Sequence, residues 1–223
     1  MMSRVRVSFD SVRPEDRDAV LQLLSQAPEV APYLSPELFD EWLREGDFVK
    51  AVDPAGALVG VVHARDLEDA LWLEGIAVSP DIRRKGVGRQ LATYVISKHG
   101  AKVVRVMASE RNVPSNQLAL SLGFKPVDYV YFCDGRRAAA AEIAASEGLK
   151  EVDVPPGVPG YVDRWVWRPM AFYRGRAYGR EGVVLLDTDP PFFAVGDIEG
   201  YRRFTRVRGA CPEGYIVYEL RLG

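Results

Sequence analysis

The sequence predicts an α/β fold, and three observations predict it. From residue 5 to about residue 134, short apolar runs that read as strands alternate with amphipathic runs that read as helices. Within that stretch, Leu73-Glu-Gly-Ile-Ala-Val-Ser-Pro80-Asp-Ile-Arg83-Arg-Lys-Gly86-Val-Gly88-Arg-Gln-Leu91 passes from an apolar strand through a basic glycine turn into a helix. Further on, Val154-Pro-Pro-Gly-Val-Pro-Gly160 fits neither a helix nor a central strand, so the chain is expected to break there.

Each element has a local reason. Val5 to Phe9 alternates as a strand. Pro14 at a first helical turn, with Glu15 and Asp16 complementing the dipole, opens a helix that places Ala19, Val20, Leu23, Leu24 and Ala27 on one face. Ser35 caps a second helix over Pro36 to Glu45, with Phe39 and Leu43 four residues apart. Strands follow at about Phe48 to Asp53 and Ala57 to Arg65, joined by the turn residues Pro54-Ala-Gly56, and then at Leu71 to Val78. The helix after the glycine turn carries Val87, Leu91 and Val95 as a core stripe and is terminated by Gly100. Val103 to Ala108 and Val127 to Cys133 read as strands, and the alanine-rich Arg136 to Glu147 as a helix. Beyond the break, Gly182 to Asp187 and Tyr215 to Leu222 read as strands, the second alternating Ile216, Tyr218, Leu220 and Leu222 against Val217, Glu219 and Arg221.

Composition bounds the function. With 223 residues, 48% of them hydrophobic, the chain can bury a substantial core and is long enough for one domain plus a smaller one. The expected division is 1–150, a Pro/Gly linker at 151–160, and a small α+β part at 161–223. The 29 basic and 31 acidic residues nearly cancel, which removes any global field for nucleic acid or an anionic membrane. No apolar run approaches the ~20 residues of a membrane helix, and Met1 to Asp10 lacks a signal core, so a cytoplasmic location is expected. Cys133, Cys211, His63 and His99 are the only cysteines and histidines, at no metal-ligand spacing, so no metal site is expected. Two free thiols are the default for a cytoplasmic protein, with a distant disulfide left open.

The glycine turn is where chemistry concentrates. Gly86 and Gly88 let the backbone turn sharply and approach a ligand closely, and the unpaired N–H groups of the first helical turn attract an anion. Arg83, Arg84, Lys85 and Arg89 add cationic side chains suited to phosphate. A Rossmann turn would have glycine where Leu91 stands, and a Walker loop would end in Gly-Lys-Ser/Thr, which is missing from the chain.

What remains, Arg83-x-x-Gly86-x-Gly88 after a strand ending Ile76-Ala77-Val78, resembles the acetyl-coenzyme A motif of the GNAT superfamily of N-acetyltransferases. A second segment, Asn112-Val-Pro-Ser115-Asn-Gln-Leu118-Ala119-Leu-Ser-Leu122-Gly123-Phe124, resembles the family's later strand-and-helix motif in order and spacing. The resemblance covers about residues 5 to 134. It implies a mixed, mostly antiparallel central sheet flanked by helices. It also implies acetyl-CoA as co-substrate and transfer of acetyl to a primary amine of a small molecule, amino acid or protein. On that basis Ile76, Ala77, Val78, Arg83, Arg84, Lys85, Gly86, Val87, Gly88, Arg89 and Asn112 are expected to hold the cofactor. Glu74, the only carboxylate on its strand and two residues from Ile76, is expected on Ile76's face as a relay for the amine proton. Asn112 has an equal claim as a helix cap.

The chain departs from the family at one mechanistic position. Ala119 stands where the family usually carries the tyrosine that protonates the departing thiolate, and Ser115, one turn earlier, is the candidate replacement. The same departure supports an alternative reading, a non-catalytic acyl-CoA sensor or binding module. The segment 161–223 matches no motif and reads as a substrate lid or a degenerate second acetyltransferase half. Its Trp165, Trp167, Phe172 and Tyr173 among Arg164, Arg168, Arg174 and Arg176 invite a nucleic-acid reading. Against it, Lys150 to Gly223 holds ten Arg and one Lys against ten acidic residues, so a packed core or lid is the expectation. The acceptor is left open, and a homodimer is allowed but not specified.

Overall fold

The computed structural model describes residues 5–27, 35–189, 191–209 and 211–223. The chain divides into two compact units, the first comprising Met1–Val106, Pro114–Lys125 and Glu219–Gly223, the second Met107–Val113 and Pro126–Tyr218. The expected boundaries at 150 and 161 both lie inside the second unit.

In the first unit β1 (Ser8–Ser11) begins later than the alternating Val5 to Phe9 suggests. A 3-10 turn at Pro14–Asp16 leads into α1 (Arg17–Ser25). Asp16 fixes this entrance, accepting from the Arg13 backbone N–H at 2.8 Å and pairing with Lys50 Nζ at 2.6 Å. Next come α2 (Pro36–Arg44), β2 (Asp47–Val52), β3 (Leu58–Asp66), β4 (Leu71–Val78), α3 (Val87–His99), β5 (Val103–Ser109) and α4 (Val113–Ser121). α2 starts as its cap predicts, with the Leu38 N–H donating to Ser35 Oγ at 3.2 Å. Phe39 is buried as expected, but its companion in the core is Trp42, with Leu43 only partly buried.

The strands of this unit order β1-β2-β3-β4-β5, antiparallel except for the parallel β4–β5 pair. α1 and α2 close one core over the sheet with Val20, Leu24, Phe39, Trp42, Phe48, Val61 and Ala77. α3 buries Val87, Leu91 and Val95, each such side chain stabilising by about 1.5–3 kcal/mol, and ends at left-handed Gly100. The terminal residues are anchored here too: buried Arg105 holds Asp69 at 2.6 Å and Glu219 at 2.8 Å.

The second unit contains most of β6 (Lys125–Cys133) and α5 (Ala140–Glu147), then β7 (Lys150–Glu151), β8 (Gly160–Asp163), β9 (Val166–Pro169), β10 (Ala177–Arg180), β11 (Val183–Leu186), β12 (Phe192–Gly196), β13 (Arg203–Thr205) and most of β14 (Glu213–Arg221). Its sheet orders β14-β6-β13-β12-β11-β10-β7, with β8 and β9 paired separately. α5 buries Ala140, Ile143 and Ala144 against Leu185, Phe192 and Ala194. Among the described residues from Tyr161 onward the chain forms strands and one 3-10 turn at Met170–Phe172 but no α-helix, so the expected α+β character is corrected to β. β14 does not alternate cleanly either: Tyr215, Val217 and Tyr218 are all buried, because both faces of the strand are partly covered.

The aromatic and arginine residues of this unit pack inward. Trp167 is buried and donates from Nε1 to Asp128 Oδ2 at 2.9 Å, and Arg206 closes on the same carboxylate. Trp165 takes a left-handed φ of 66° in the β8–β9 turn, and its ring sits edge-on to Phe204 at 4.8 Å and tilted on Phe132 at 5.2 Å. Cys133 and Cys211 form a disulfide across 4.5 Å between Cα atoms, which corrects the expectation of two free thiols. Among the described residues no helix is long and apolar enough to cross a membrane, and no group of three or more His, Cys, Asp or Glu could hold a metal ion.

Candidate active site

The candidate site is built on β4, and its main feature is an interruption. Glu74 stands opposite His63 and Ala77 opposite Val61, so β4 spends three residues where β3 spends two. The extra residue is a bulge at Gly75–Ile76, with Gly75 at φ +61°, a conformation that favours glycine. On the other edge, the ladder to β5 runs only from Leu71–Val104 to Leu73–Val106. From Glu74 onward the register with β5 in this unit has ended, and strand backbone that loses its neighbour needs other hydrogen-bond partners.

The bulge also decides which face each side chain takes. A one-residue shift moves every later side chain to the opposite face. Ala77, not Ile76, therefore shares a face with Glu74, and the expectation that Glu74 and Ile76 lie together is corrected. Glu74 is turned toward the α2 side, where the Trp42 ring stacks on His63 at 5.1 Å and meets Phe48 edge-on at 5.5 Å. Its Oε1 accepts from His63 Nδ1 at 2.8 Å and Arg65 Nε at 2.6 Å, and its Oε2 accepts from Trp72 Nε1 at 3.3 Å. Burial alone would raise the Glu74 pKa, but the His63 hydrogen bond and the Arg65 charge outweigh it and hold the carboxyl below its ordinary value. Arg65 is correspondingly held above its own, because the Glu74 and Glu41 carboxylates overcome the effect of burial. Glu74 is thus an engaged anion, poorly suited to accept a proton near neutrality.

The opposite face carries the glycine turn. Ile76 and Val78 point toward α3: a Cβ built on Gly88 would lie 3.3 Å from Leu118 Cδ2, 3.7 Å from Val78 Cγ2 and 3.9 Å from Ile76 Cδ1. The end of β4, the start of α3 and the middle of α4 therefore meet closely around Gly88, where an added Cβ would press on Leu118. Gly86 adopts φ +84° as the residue before α3, and no side chain caps that helix, so the amides of its first turn lack the usual protein acceptor. Val87, named with the turn, is buried and anchors it.

The basic residues divide by role. Arg83 holds the turn, donating from Nε to the Val78 carbonyl and from Nη2 to the Gln26 carbonyl, both at 3.0 Å. Lys85 Nζ donates to the Asp81 carbonyl at 3.1 Å, and Arg89 Nη2 to the Ser121 carbonyl at 2.9 Å, tying α3 to α4. Arg84 is exposed, at a left-handed φ of 63°. Of the expected cluster, Arg83 and Arg89 are structural ties in this geometry.

On α4, Ser115 is half-buried one turn ahead of Leu118, and Ala119 is buried. Asn112 precedes the helix, with its N–H donating to the Ser109 carbonyl at 2.9 Å, and is grouped with the second unit. Sequence reasoning missed Trp42, His63, Arg65 and Gly75. The available signal was the isolated glycine inside a strand pattern, which marks a bulge.

Residues 17–124 match the model of the acetyltransferase (GNAT) family. Over 81 residues the chain is 32% identical to UPF0157 protein YqkA of Bacillus subtilis (strain 168), a stretch that is 36% of this chain and 24% of that protein. The chain thus spans about a quarter of the length of that curated relative. Among solved structures, a putative acetyltransferase from Thermoplasma acidophilum superposes with a TM-score of 0.65 at 17% identity, covering 96% of this chain and all of the other. The ribosomal-protein-S18-alanine N-acetyltransferase from Escherichia coli superposes at 0.55 and 13% identity, covering 98% of this chain and 95% of its own. At these identities the likeness is one of fold.

Proposed function

Because residues 17–124 of this chain belong to the GNAT acetyltransferase family, whose chemistry is acetyl transfer from acetyl-CoA, we propose that the protein is an N-acetyltransferase that moves the acetyl group directly to a primary amine. The observation that carries the reading is the pairing of two features on one strand–turn–helix unit. β4 ends its ladder to β5 at Leu73, and α3 begins uncapped at Gly86, with Gly88 clear of side-chain bulk. In this reading the freed β4 edge at Ile76 to Val78 bonds the pantetheine arm and polarises the thioester carbonyl. The first-turn amides of α3 and the Arg84 guanidinium take the pyrophosphate, while Arg83, Lys85 and Arg89 hold the turn in shape.

The chemistry needs an aligned neutral amine more than a strong base. The amine nitrogen forms a bond to the carbonyl carbon, and the nitrogen then loses its proton to water. The C–S bond breaks as the tetrahedral intermediate collapses, and the thiolate takes up a proton. Ala119 supplies none, so the hydroxyl of Ser115 is assigned the hydrogen bond to the leaving sulfur. Glu74 enters as a fixed anion on the opposite face of the strand, steadying the bulge.

Calorimetric titration with acetyl-CoA, paired with a free-thiol assay across amines, amino acids and peptides, tests the reading. Saturable binding with thiol release supports it and names the acceptor class. The buried Ala119 favours one second reading, an acyl-CoA sensor, and binding without release for any amine would establish that instead. No binding would remove both.

A further inference from the structure

Resting on the acetyl-transfer reading above, we propose that Trp42 and Arg65 are positioning residues that key helix α2 to the bulge of β4, so that the bulged strand keeps a single geometry during acyl transfer. Neither residue has to touch substrate. The first half of the key is steric. A Cβ on Gly75 would fall 2.2 Å from Trp42 Cη2, so the ring occupies the space that any other residue at the bulge would need. The ring is held there by its stack on His63, parallel within 6°, and by the edge of Phe48. Trp42 is only 5% exposed and its Nε1 is buried with no hydrogen-bond partner among the described residues, so the residue is used here for its ring and not for its polar group.

The second half is ionic and acts between the same two elements. One guanidinium spans them: Arg65 Nε donates to Glu74 Oε1 at 2.6 Å on β4, while Nη2 reaches Glu41 Oε1 at 3.2 Å on α2 and Nη1 reaches Glu45 Oε2 at 3.5 Å just past its end. The rigid fork of arginine suits this task better than the single ammonium of lysine. A wedge from α2 and a clamp from Arg65 of β3, itself tied to α2, therefore act on the segment Glu74 to Ile76. That segment is where the β3 register slips and where the β5 ladder has just ended. Where the β3 ladder is interrupted between Glu74 and Ala77 and the β5 ladder has ended, the bulge takes its geometry from what packs against it, and here that is the Trp42 ring of α2 and the Arg65 guanidinium of β3.

The test uses the full-length chain carrying Trp42→Leu, Trp42→Phe or Arg65→Lys. Hydrogen exchange by mass spectrometry is followed over β4 and α3, with acetyl-CoA affinity, kcat and KM measured beside it. For Trp42→Leu, exchange of the Gly75 to Ala77 amides is expected to rise about ten-fold or more while α3 is unchanged. Acetyl-CoA affinity should stay within about three-fold and kcat per folded molecule should fall about ten-fold or more, with Trp42→Phe recovering most of it. Unchanged exchange in β4 overturns the key whatever the activity. Loosened exchange with unaltered kcat overturns the positioning role, because a merely structural wedge would cost stability alone. If Trp42→Leu does not fold, Trp42→Phe and Arg65→Lys carry the same comparison. Should the wild type neither bind nor turn over acetyl-CoA, the functional reading falls by itself, and the exchange measurement still decides whether α2 keys the bulge.

Discussion

Replacing Glu74 with Gln exchanges one carboxylate oxygen for an NH2 group and removes the charge at a carboxylate with three side-chain donors, and the structure says what that costs. The carboxylate accepts from His63 Nδ1, Arg65 Nε and Trp72 Nε1. A glutamine retains one acceptor oxygen and brings an NH2 group, so at least one of these N–H donors must face another donor. The charge-assisted bond to Arg65 weakens at the same time, although Arg65 keeps Glu41 and Glu45. A lost hydrogen bond to a charged group and a buried donor left unsatisfied together come to about 2–4 kcal/mol. Against a total stability of about 5–15 kcal/mol, that is readily measured by urea denaturation of the transition that carries α3. The pH dependence has a definite sign. The folded-state pKa lies below the ordinary 4.5, because the His63 bond and Arg65 charge more than offset burial. The stabilisation is therefore complete above pH 4.5 and is lost as pH falls through the folded value, so the gap between wild type and Glu74→Gln should be widest near neutrality and close in acid. A gap below about 0.5 kcal/mol at pH 7, within the range of ordinary surface substitutions, or a gap that stays constant into acid, would refute the account of Glu74 as an engaged anion.

Three further outcomes follow from the same geometry. Gly86→Glu should fold, since nothing lies within 4 Å of the added Cβ, at a conformational cost of about 1–2 kcal/mol for its left-handed φ, yet lose acetyl-CoA binding in a calorimetric titration. Cys133→Ser should lower the denaturation midpoint of the second unit by the equivalent of about 2–4 kcal/mol, as expected for a crosslink across 78 residues, and the wild type should titrate no free thiol before reduction. Asp47→Asn removes the negative charge that Lys98 meets at 2.6 Å and His99 at 3.1 Å, leaving one neutral acceptor oxygen, and should cost about 1 kcal/mol at neutral pH in equilibrium denaturation. Burial would raise the Asp47 pKa, but Lys98 and His99 lower it further, so this contribution should disappear only as pH falls below the ordinary 3.8.

How much of this was legible in the sequence depends on the range over which each feature is determined. The turn from Val78 through Gly86 into α3 is local, and its residues announce it: an apolar run, a proline-opened turn, glycines, then a helical stripe that the structure buries as Val87, Leu91 and Val95. The Ser35 cap and the Gly100 terminator are local in the same sense and stand where the sequence puts them. The face of Glu74 is not local. Period-two counting from Glu74 to Ile76 assumes an unbroken strand, and a single inserted residue inverts the answer. The insertion is written in the sequence as Gly75, but why glycine is needed there is written thirty-three residues earlier, at Trp42, whose ring takes the space of the missing Cβ. The same distance hid the partners of Glu74, since His63 and Arg65 become neighbours only once the β3–β4 register is set. It also hid the ends of the units. Residues 219–223 return to the first unit through Arg105 and Glu219, which neither composition nor a Pro/Gly break can indicate. What a chain says about a phosphate-binding turn it says in consecutive residues; what it says about which carboxylate can reach a substrate is settled by the register of two strands and the helix packed against them.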